Sequence, residues 1–404
     1  MLRFKKNNAT DFPNLEETTL GEVCNKIGDG LHSAPTYDVD GEYYFINGNN
    51  LKDGTIIITS DTKKVSKETF LKNDKGLDGH TILLSINGTI GNLAYYKNEN
   101  VMLGKSAAYL KIKKSVDKEY IYQLLQTRKV KTSFLLSLTG TTIKNLGLEA
   151  INKTHIFIPV LEEQHKIADF LSSVDEIIRV QEEEITVLEE QKKGIMQKLF
   201  NCEVRFKADD GSEYPEWEKK KLIDVCKYVD YRGKTPEKTD GGVFLVTAKN
   251  VRQGYIDYDI SQEYVSEYKY DEIMHRGKPK IGDVIITTEA PCGFVAQIDR
   301  EDIALAQRII KYRGKEKIVY NAYLKYALLS EEFQKMLLQK STGGTVKGIK
   351  GSVLHTLKIK LPCLVEQQKI ADCLSAYDEV IQIKKDKLEV WKKIKKGLLQ
   401  QMFV

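Results

Sequence analysis

The chain is an internal duplication, because segments of its first half return in order in its second half. LRFK at residues 2–5 returns as VRFK at residues 204–207. The strongest match begins at Pro159 and Pro362, and of 42 pairs aligned without a gap, 19 are identical. Repeats of roughly 20–50 residues would indicate a solenoid, whereas this much longer period predicts two whole domains, each followed by the same C-terminal element.

The C-terminal element of each half has the apolar spacing of a long, paired helix. Apolar residues alternate at intervals of four and three, the heptad pattern of a coiled coil. Polar residues interrupt this pattern at Gln181 and Lys192 and, at matched positions, at Lys384 and Lys395. The pattern predicts two helices of about 40 residues, each roughly 60 Å long. The residues expected in the paired seam are Ile167, Leu171, Val174, Ile178, Ile185 and Leu188, with Ile370, Leu374, Tyr377, Ile381, Leu388 and Trp391.

The charges beside the seam indicate which helices pair. Glu182 and Glu189 lie on one flank of the first helix, and Lys385 and Lys392 occupy the same places in the second. Two copies of the first helix would oppose glutamates, so the pattern favours pairing of the first helix with the second. An antiparallel pair would bring Glu182 to Lys392 and Glu189 to Lys385. The alternative is that these charges only solvate the outer faces of the helices.

The remainder of each half has the pattern of a β-rich domain. Short apolar runs such as 81–84 and 284–287 alternate with turn residues, and a helical stretch is predicted near 117–137 and again near 319–339. We therefore expect a mixed α/β (α+β) protein in which two similar globular domains are joined by two long helices that form an antiparallel coiled coil, with pseudo-twofold internal symmetry. The expected boundaries are 1–158 and 202–360 for the globular domains and 159–201 and 361–404 for the helices.

Composition and motifs exclude several classes of protein. No apolar run approaches the roughly 18–20 residues of a membrane span, and no apolar core of a secretory signal follows the N-terminus. The six cysteines are scattered and form no CxxC pair, so we expect no zinc site or disulfide framework and a reducing, cytoplasmic setting. No phosphate loop with GxxxxGK[ST] spacing, no [ND]PP[YF] tetrapeptide and no catalytic constellation is found. We therefore expect no catalytic residue and no metal ligand in this chain.

Polar and basic residues on predicted loops recur in both halves. Small residues let a backbone approach closely, hydroxyls and lysines can hold phosphates, and Arg, Lys, Asn and Gln read base edges. Each residue alone could be a solvated loop residue, but their repetition favours DNA contact. The alternative is a non-enzymatic tandem-domain scaffold that binds protein partners. The candidate DNA contacts are Asn50, Lys52, Lys105, Ser106, Thr141, Thr142, Lys144 and Asn145 in the first half, and Arg232, Lys234, Lys249, Asn250, Arg252, Gln307, Arg308, Thr345, Lys347 and Lys350 in the second.

Taken together, the motifs resemble the specificity subunit of type I restriction–modification systems. The matching segments are the domain entries FPNLEETTLGEVC and YPEWEKKKLIDVC, the internal SINGTIGNLAYY, the loops TGTTIKNL and TGGTVKGI, and the exits IPVLEEQHKIADFL and LPCLVEQQKIADCL. They occur in family order over nearly the whole chain. The family often has an arginine where this chain has Asn87, so no base contact is carried over to that residue.

The resemblance implies a DNA-binding protein that is not catalytic by itself. Each globular domain would read one half of an asymmetric, bipartite site in double-stranded DNA, and the helices would set the spacing. Two methyltransferase subunits would dock on the helices and methylate adenine with S-adenosylmethionine, and restriction/translocase subunits would use ATP and Mg. This chain itself would hold no cofactor and would not associate with a membrane.

Overall fold

A computed structural model of the chain describes residues 2–141, 144–231, 233 and 236–403. The chain divides into two units, with Met1–Glu182 and Asp386–Val404 in unit 1 and Glu183–Lys385 in unit 2. Both unit boundaries fall inside long helices, so each unit holds one globular part together with a portion of each long helix. None of the helices in the described residues combines the length and the apolar composition that a bilayer span requires.

Unit 1 begins with the first globular part and leads into the first long helix. Its elements are β1 (Glu16–Thr19), α1 (Leu20–Val23), β2 (Cys24–Asp29), β3 (Tyr43–Ile46), β4 (Leu51–Lys52), β5 (Thr55–Ile56), β6 (Lys64–Val65), α2 (Lys67–Asn73), β7 (Thr81–Ser85), β8 (Leu93–Tyr95), β9 (Val101–Leu103), β10 (Ala107–Ile112), α3 (Lys118–Leu125), α4 (Arg128–Leu136), β11 (Leu138–Thr139), β12 (Asn145–Leu146), α5 (Leu148–Asn152), β13 (His155–Ile158) and α6 (Leu161–Phe200), whose last residues belong to unit 2.

Unit 2 repeats this plan and leads into the second long helix. Its elements are β14 (Glu218–Lys221), α7 (Leu222–Val225), β15 (Cys226–Asp230), β16 (Lys238–Thr239), β17 (Val243–Val246), β18 (Tyr264–Val265), α8 (Tyr270–Ile273), β19 (Val284–Thr288), β20 (Cys292–Gln297), β21 (Ile303–Leu305), β22 (Ile309–Gly314), α9 (Asn321–Leu329), α10 (Glu331–Lys340), α11 (Gly351–Leu354), β23 (Lys358–Leu361) and α12 (Leu364–Met402), whose last residues belong to unit 1.

A four-stranded antiparallel sheet forms the centre of each globular part. The strand order is β2-β10-β7-β8 in unit 1 and β15-β22-β19-β20 in unit 2. Ile82 and Leu84 of β7 pack in a core cluster with Ile121, whereas Leu83 packs on the other side with Ile46. All five residues of β7 are buried, as are all five of β19. The continuous apolar runs in the sequence therefore mark strands that are covered on both faces.

The predicted helical stretch of each half is two helices rather than one. In unit 1 the break falls between α3 and α4, where the Thr127 hydroxyl accepts a hydrogen bond from the Val130 N–H at 3.4 Å. In unit 2 the break falls between α9 and α10, where Ser330 caps the N–H of Phe333 in the same way at 3.4 Å. Thr and Ser at these positions satisfy the unpaired N–H groups of a new helix, which is why the single predicted stretch divides there.

Within each unit the portions of α6 and α12 run antiparallel. In unit 1 the Lys392 Nζ lies 2.8 Å from a carboxylate oxygen of Glu182. In unit 2 the Lys385 Nζ lies 2.6 Å from a carboxylate oxygen of Glu189. Both ion pairs were predicted from the charge pattern, and both are confirmed. Of the residues expected in the seam, those fully buried are Ile167, Leu171, Val174, Ile185, Ile370, Leu374, Ile381 and Leu388, and those half-buried are Ile178, Leu188, Tyr377 and Trp391.

The lysine that interrupts each seam belongs to a polar junction between the helix pair and the globular part. In unit 2, Lys192 of α6 pairs with Asp378 of α12. The same carboxylate lies 3.1 Å from the Lys325 Nζ and accepts a hydrogen bond from the Tyr326 hydroxyl at 2.6 Å, both from α9. Three helices therefore meet at one carboxylate.

The matched junction in unit 1 has a different composition. Lys395 of α12 pairs with Asp175 of α6 at 2.5 Å, and the Gln123 amide of α3 donates to Asp175 at 2.7 Å. Tyr122 occupies the position that Lys325 occupies in unit 2. Unit 1 thus has one ammonium group at its junction, where unit 2 has two.

The first residues of each half are bound to the first turn of a long helix. Arg3 makes two hydrogen bonds to Glu163, at 3.0 and 2.5 Å, and Arg205 makes two to Glu366, at 3.1 and 2.8 Å. Both carboxylates are 0% exposed. Two-point arginine–carboxylate contacts of this kind compensate a buried charge. They explain why LRFK and VRFK are repeated.

The chain enters the two globular parts in the same way. In unit 2 the Val204 N–H donates to the carbonyl of Lys198, near the end of α6, at 3.3 Å. In unit 1 the Leu2 N–H donates to the carbonyl of Gln401, near the end of α12, at 2.7 Å. A hydrogen bond between residues distant in sequence thus reproduces one formed along a continuous chain.

Candidate nucleic-acid interface

Three loops of unit 1 meet at one end of its four-stranded sheet. The Ile86 N–H, after β7, donates to the carbonyl of Ser106, before β10, at 3.0 Å. The Leu146 N–H donates to the Ile86 carbonyl at 2.8 Å, and Asn87 forms an antiparallel bridge with Asn145. These contacts hold together residues 86–91, 104–106, 139–141 and 144–145, which we call the unit 1 edge.

Unit 2 repeats this backbone arrangement. The Thr288 N–H donates to the carbonyl of Arg308, and the Ile349 N–H donates to the carbonyl of Thr288, both at 2.9 Å. Glu289 forms an antiparallel bridge with Gly348. We call residues 288–291, 306–308 and 342–348 the unit 2 edge.

Several residues predicted from the sequence are brought together at these two edges. Lys105, Thr141 and Lys144 are exposed on the unit 1 edge, where Asn145 is half-buried in β12. Thr345 and Lys347 are exposed on the unit 2 edge, with Lys350 just beyond it. Lysines and hydroxyls in such positions can contact phosphates without reading sequence. Thr142, Arg232 and Lys234 lie outside the described residues.

The other predicted residues differ in exposure and in their contacts. Lys52 and Lys249 are exposed. Arg252 is half-buried, with its Nε 3.9 Å from a carboxylate oxygen of Asp257. Gln307 is half-buried beside Arg308 on the unit 2 edge. The structure therefore gathers only part of the predicted set.

Asn250 is too deeply buried to contact DNA, whereas Asn50 is half-buried and its DNA contact stays a prediction; the amides of both close loops of the protein. Asn250 is fully buried, and its Oδ1 accepts from the Thr247 N–H at 2.9 Å while its Nδ2 donates to the Asp257 carbonyl at 2.9 Å. Asn50 makes the matching bonds, accepting from the Asn47 N–H and donating to the Ile57 carbonyl, both at 2.9 Å. This asparagine is repeated because the loop requires it.

Ser106 has a structural role in the loop, and its predicted DNA contact stays a prediction. Its hydroxyl accepts a hydrogen bond from the Gly48 N–H at 2.9 Å and donates to the Asn47 amide oxygen at 3.0 Å. These bonds tie the turn before β4 to the unit 1 edge. The hydroxyl thereby positions the edge, while its neighbour Lys105 is exposed.

The structure adds two residues to the candidate DNA contacts, Asn87 and Glu289, which occupy the same position in the two edges. Asn87 is half-buried, and its side chain makes no hydrogen bond within the described part of the chain. Glu289 lies 3.3 Å from the Nε of Arg308, and both side chains are nearly half exposed. The segments that contain Asn87 and Glu289 stood out in the sequence, but no contact was assigned to them.

The unit 2 edge also contacts a neutral thiol. Burial raises the pKa of Cys292, whose Sγ lies 3.5 Å from the Ser341 hydroxyl. The thiol is therefore uncharged at neutral pH and adds no negative charge beside Lys347. Among the described residues, no group of three or more His, Cys, Asp or Glu side chains is arranged to hold a metal ion.

Comparison with known proteins identifies the family. The model of the type I restriction modification DNA specificity domain matches residues 14–190 and again residues 214–392. The chain belongs to this family. The resemblance inferred from its motifs is thus confirmed, and so is the presence of two specificity domains. Each match covers one globular part and extends into the long helix that follows it.

Individual relatives are similar in sequence to this chain over most of their own length. The type I restriction enzyme MjaVIII specificity subunit of Methanocaldococcus jannaschii is 30% identical over 382 residues, covering 90% of this chain and 85% of the relative. The putative MjaX specificity subunit of the same organism is 27% identical over 420 residues, covering 98% and 94%.

Solved structures share the fold. The S subunit of a type I restriction-modification system from M. genitalium superposes with a TM-score of 0.58 at 16% identity, covering 100% of this chain and 99% of that one. A chain from a study of complex assembly and conformational transition of the type I R-M system gives 0.54 at 16% identity, covering 96% and 97%. The predicted fold class of two similar mixed α/β domains with two long helices is confirmed.

Proposed function

We propose that this chain is the DNA-specificity subunit of a type I restriction–modification complex, in which each edge contacts one half of a bipartite DNA site. The observation that supports this most directly is that the two edges share a backbone scaffold but differ in the side chains it presents. Recognition domains would correspond to 1–158 and 202–360, and the conserved helices to 159–201 and 361–404. The chain is not catalytic in this proposal.

The differing side chains suit different bases. Asn87 on the unit 1 edge has the two-point geometry that pairs with adenine in the major groove. On the unit 2 edge, Arg308 can donate to guanine O6 and N7, and Glu289 can accept from cytosine N4. The Arg308–Glu289 pair therefore offers complementary groups to the two bases of one C·G pair. Two edges with the same backbone arrangement would therefore read two different DNA half-sites.

Exposed lysines on both edges would hold the DNA backbone. Each phosphate neutralised by a lysine releases condensed counterions, so affinity falls with salt in proportion to the number of contacts. The double substitution Lys144→Ala/Lys347→Ala is expected to reduce the slope of log K against log salt by about 1.8. Titration of a mixed-sequence duplex with the full chain, alone or bound to its methyltransferase partners, measures this slope.

Two exposed lysines of unit 1 that lie off the edges provide the control. Lys97→Ala/Lys114→Ala removes the same charge and is expected to leave the slope unchanged. Equal slopes for the edge variant and the wild type would show that Lys144 and Lys347 do not contact phosphates. DNA binding that does not depend on salt in any variant would favour the protein-binding scaffold instead.

A second apolar stripe on the long helices supports the docking of partner subunits. It lies beside the buried seam, and its members are matched at a spacing of 203 residues between the helices. Ile383 is 65% exposed, Val390 53% and Val187 50%, which is unusual for apolar residues in a paired helix. The stripe consists of Ile177, Val180 and Val187 on α6 and Val380, Ile383 and Val390 on α12.

The repetition of this stripe suits two copies of one partner, which we assign as methyltransferase subunits that modify adenine with S-adenosylmethionine. Restriction/translocase subunits would add ATP- and Mg-dependent steps. These cofactors would belong to the partners. The paired helices would also set the spacing between the two half-sites.

The substitution Val180→Asp/Ile383→Asp is expected to weaken methyltransferase docking at least tenfold. Carboxylates placed in a buried apolar interface lose their hydration without gaining a partner. Co-purification and calorimetric titration with the methyltransferase subunit measure the effect. Lys193→Asp, on an exposed position of α6 outside the stripe, is the control. Unaltered docking by the double variant would place the methyltransferase elsewhere.

A further inference from the structure

Unit 2 has a cleft of about 310 Å³ between α10 and the two-stranded ribbon of β14 and β23. Its floor is apolar and includes Phe200, Phe333 and Ile359. Its rim is basic, formed by Lys219, Lys335, Lys358 and Lys360. We call this set the lysine cleft.

The ribbon places lysines directly opposite each other. Lys219 pairs in register with Lys360, and Lys221 pairs with Lys358. Like charges directly opposite on neighbouring strands destabilise a ribbon. Glu332 compensates the first pair, at 3.0 Å from Lys219 and 2.8 Å from Lys360.

The second pair has no such compensation. Lys221 and Lys358 are exposed, and neither has a carboxylate within 4.0 Å among the described residues. Lys335 on the rim likewise has none. Lys335 and Lys358 on the rim, with Lys221 paired opposite Lys358 beside it, therefore carry three ammonium groups that are available to an external anion.

The fold does not require these lysines, because unit 1 builds the same ribbon without them. In β1 and β13 the matching pairs are Glu17 with Phe157 and Thr19 with His155. The four positions of these two pairs are thus all lysine in unit 2, whereas the matching positions in unit 1 hold four different residue types, none of them lysine. A difference concentrated on one face of one ribbon indicates a ligand that only unit 2 binds.

The lysine cleft does not coincide with the unit 2 edge. The edge precedes β22 at Arg308, whereas the ribbon leads into β15 at Cys226, which pairs with Gly314 at the far end of β22. The six residues of β22 separate these ends by roughly 17 Å. The lysine cleft and the unit 2 edge are therefore separate surfaces, associated with opposite ends of β22.

We propose that the lysine cleft binds an acidic peptide segment of a protein partner, with an apolar side chain on the floor and carboxylates on the rim. The apolar floor has no complement in a phosphate backbone, whereas a segment with alternating acidic and apolar residues matches both surfaces. This inference does not depend on the proposed function. Because unit 1 lacks the lysines, a single segment would bind per chain.

The test uses the full chain and a fluorescein-labelled peptide in which aspartates and glutamates flank one phenylalanine. Wild-type protein is expected to raise the anisotropy of this probe in a salt-dependent manner, and a peptide with serine in place of phenylalanine is expected to bind more weakly. Lys221→Thr/Lys358→His, which introduces the unit 1 residues, is expected to weaken binding about tenfold. Because this variant removes a like-charge pair and places threonine at the N-cap of α7, it is not expected to unfold the ribbon.

Lys97→Thr/Lys114→His is the matched control, because it makes the same changes at exposed lysines of unit 1. Its affinity for the peptide is expected to equal that of the wild type. Equal weakening by both variants would show only non-specific attraction to lysine and would overturn the proposal. So would absence of binding by the wild type, indifference to the phenylalanine, or a larger loss of duplex DNA binding than of peptide binding in the cleft variant.

Discussion

Asp378→Asn is expected to lower the free energy of unfolding of unit 2 by about 1–3 kcal/mol, because the half-buried carboxylate is the partner of one buried and one half-buried lysine. Asp378 is the common acceptor of Lys192, Lys325 and the Tyr326 hydroxyl. The Lys325 side chain is only 9% exposed. Burial lowers the pKa of Lys325, and Asp378 opposes that effect. Without the carboxylate, two ammonium groups would face each other without compensation.

The matched control is Asp175→Asn, at the corresponding junction of unit 1. Its loss is expected to be about half as large, because Tyr122 replaces the second lysine and only Lys395 is left without its partner. Calorimetric melting of both variants measures the difference. Equal losses in the two variants, or no loss in Asp378→Asn, would show that the second lysine does not depend on the carboxylate.

The junction of unit 2 also predicts a dependence on pH. Burial raises the pKa of Asp378, but Lys192 and Lys325 more than offset this, so its pKa lies below the ordinary value of 3.8. A carboxyl with a depressed folded-state pKa stabilises the protein above its unfolded pKa and loses that contribution as the pH falls through the folded value. The gap in stability between the wild type and Asp378→Asn should therefore be complete at neutral pH and close below about pH 4.

Arg308→Ala is expected to relax recognition of one C·G pair in one half-site while the other half-site is retained. Loss of a two-point arginine–guanine contact costs about 1–3 kcal/mol, roughly tenfold to a hundredfold in discrimination at that base pair. Glu289 would then be left beside the DNA without its cation, which adds to the loss. Because adenine methylation is part of the proposed function, sequencing of methylated adenines in a genome that carries the complex is the measurement that reports both half-sites at once.

Lys347→Ala is the control for this experiment, because it lies on the same edge and is expected to lower methylation without changing the motif. An unchanged motif in Arg308→Ala would show that the unit 2 edge does not read bases through this residue. Uniform loss of methylation at all sites would instead assign Arg308 to phosphate contact.

The helices could be predicted from the sequence in detail, whereas the edges could not. A heptad pattern predicts which residues face each other, so Glu182 with Lys392 and Glu189 with Lys385 follow from the spacing and the charge pattern of an antiparallel pair. The edges depend on pairings between distant segments. Asn87 reaches the unit 1 edge through its bridge to Asn145. No local pattern contains that contact.

Repetition was an ambiguous signal for loop residues. Asn250 and its counterpart in the first half recur because each closes a turn, and a repeated asparagine that binds DNA would look the same in the sequence. What distinguishes the two cases is burial, which depends on the packing of β17 and β21 around the loop. Residues that differ between the halves, such as Asn87 and Glu289, are the better guide to base recognition in a duplicated scaffold.

The hydrogen bond between Leu2 and Gln401 attaches the first residues of the first half to the end of α12 within unit 1. Its counterpart between Val204 and Lys198 attaches the first residues of the second half to the end of α6 within unit 2. Either half could therefore precede the other along a gene without changing how the backbone enters either globular part. Replacing one half by the corresponding half of a relative is therefore expected to change one DNA half-site while preserving this attachment to the helices.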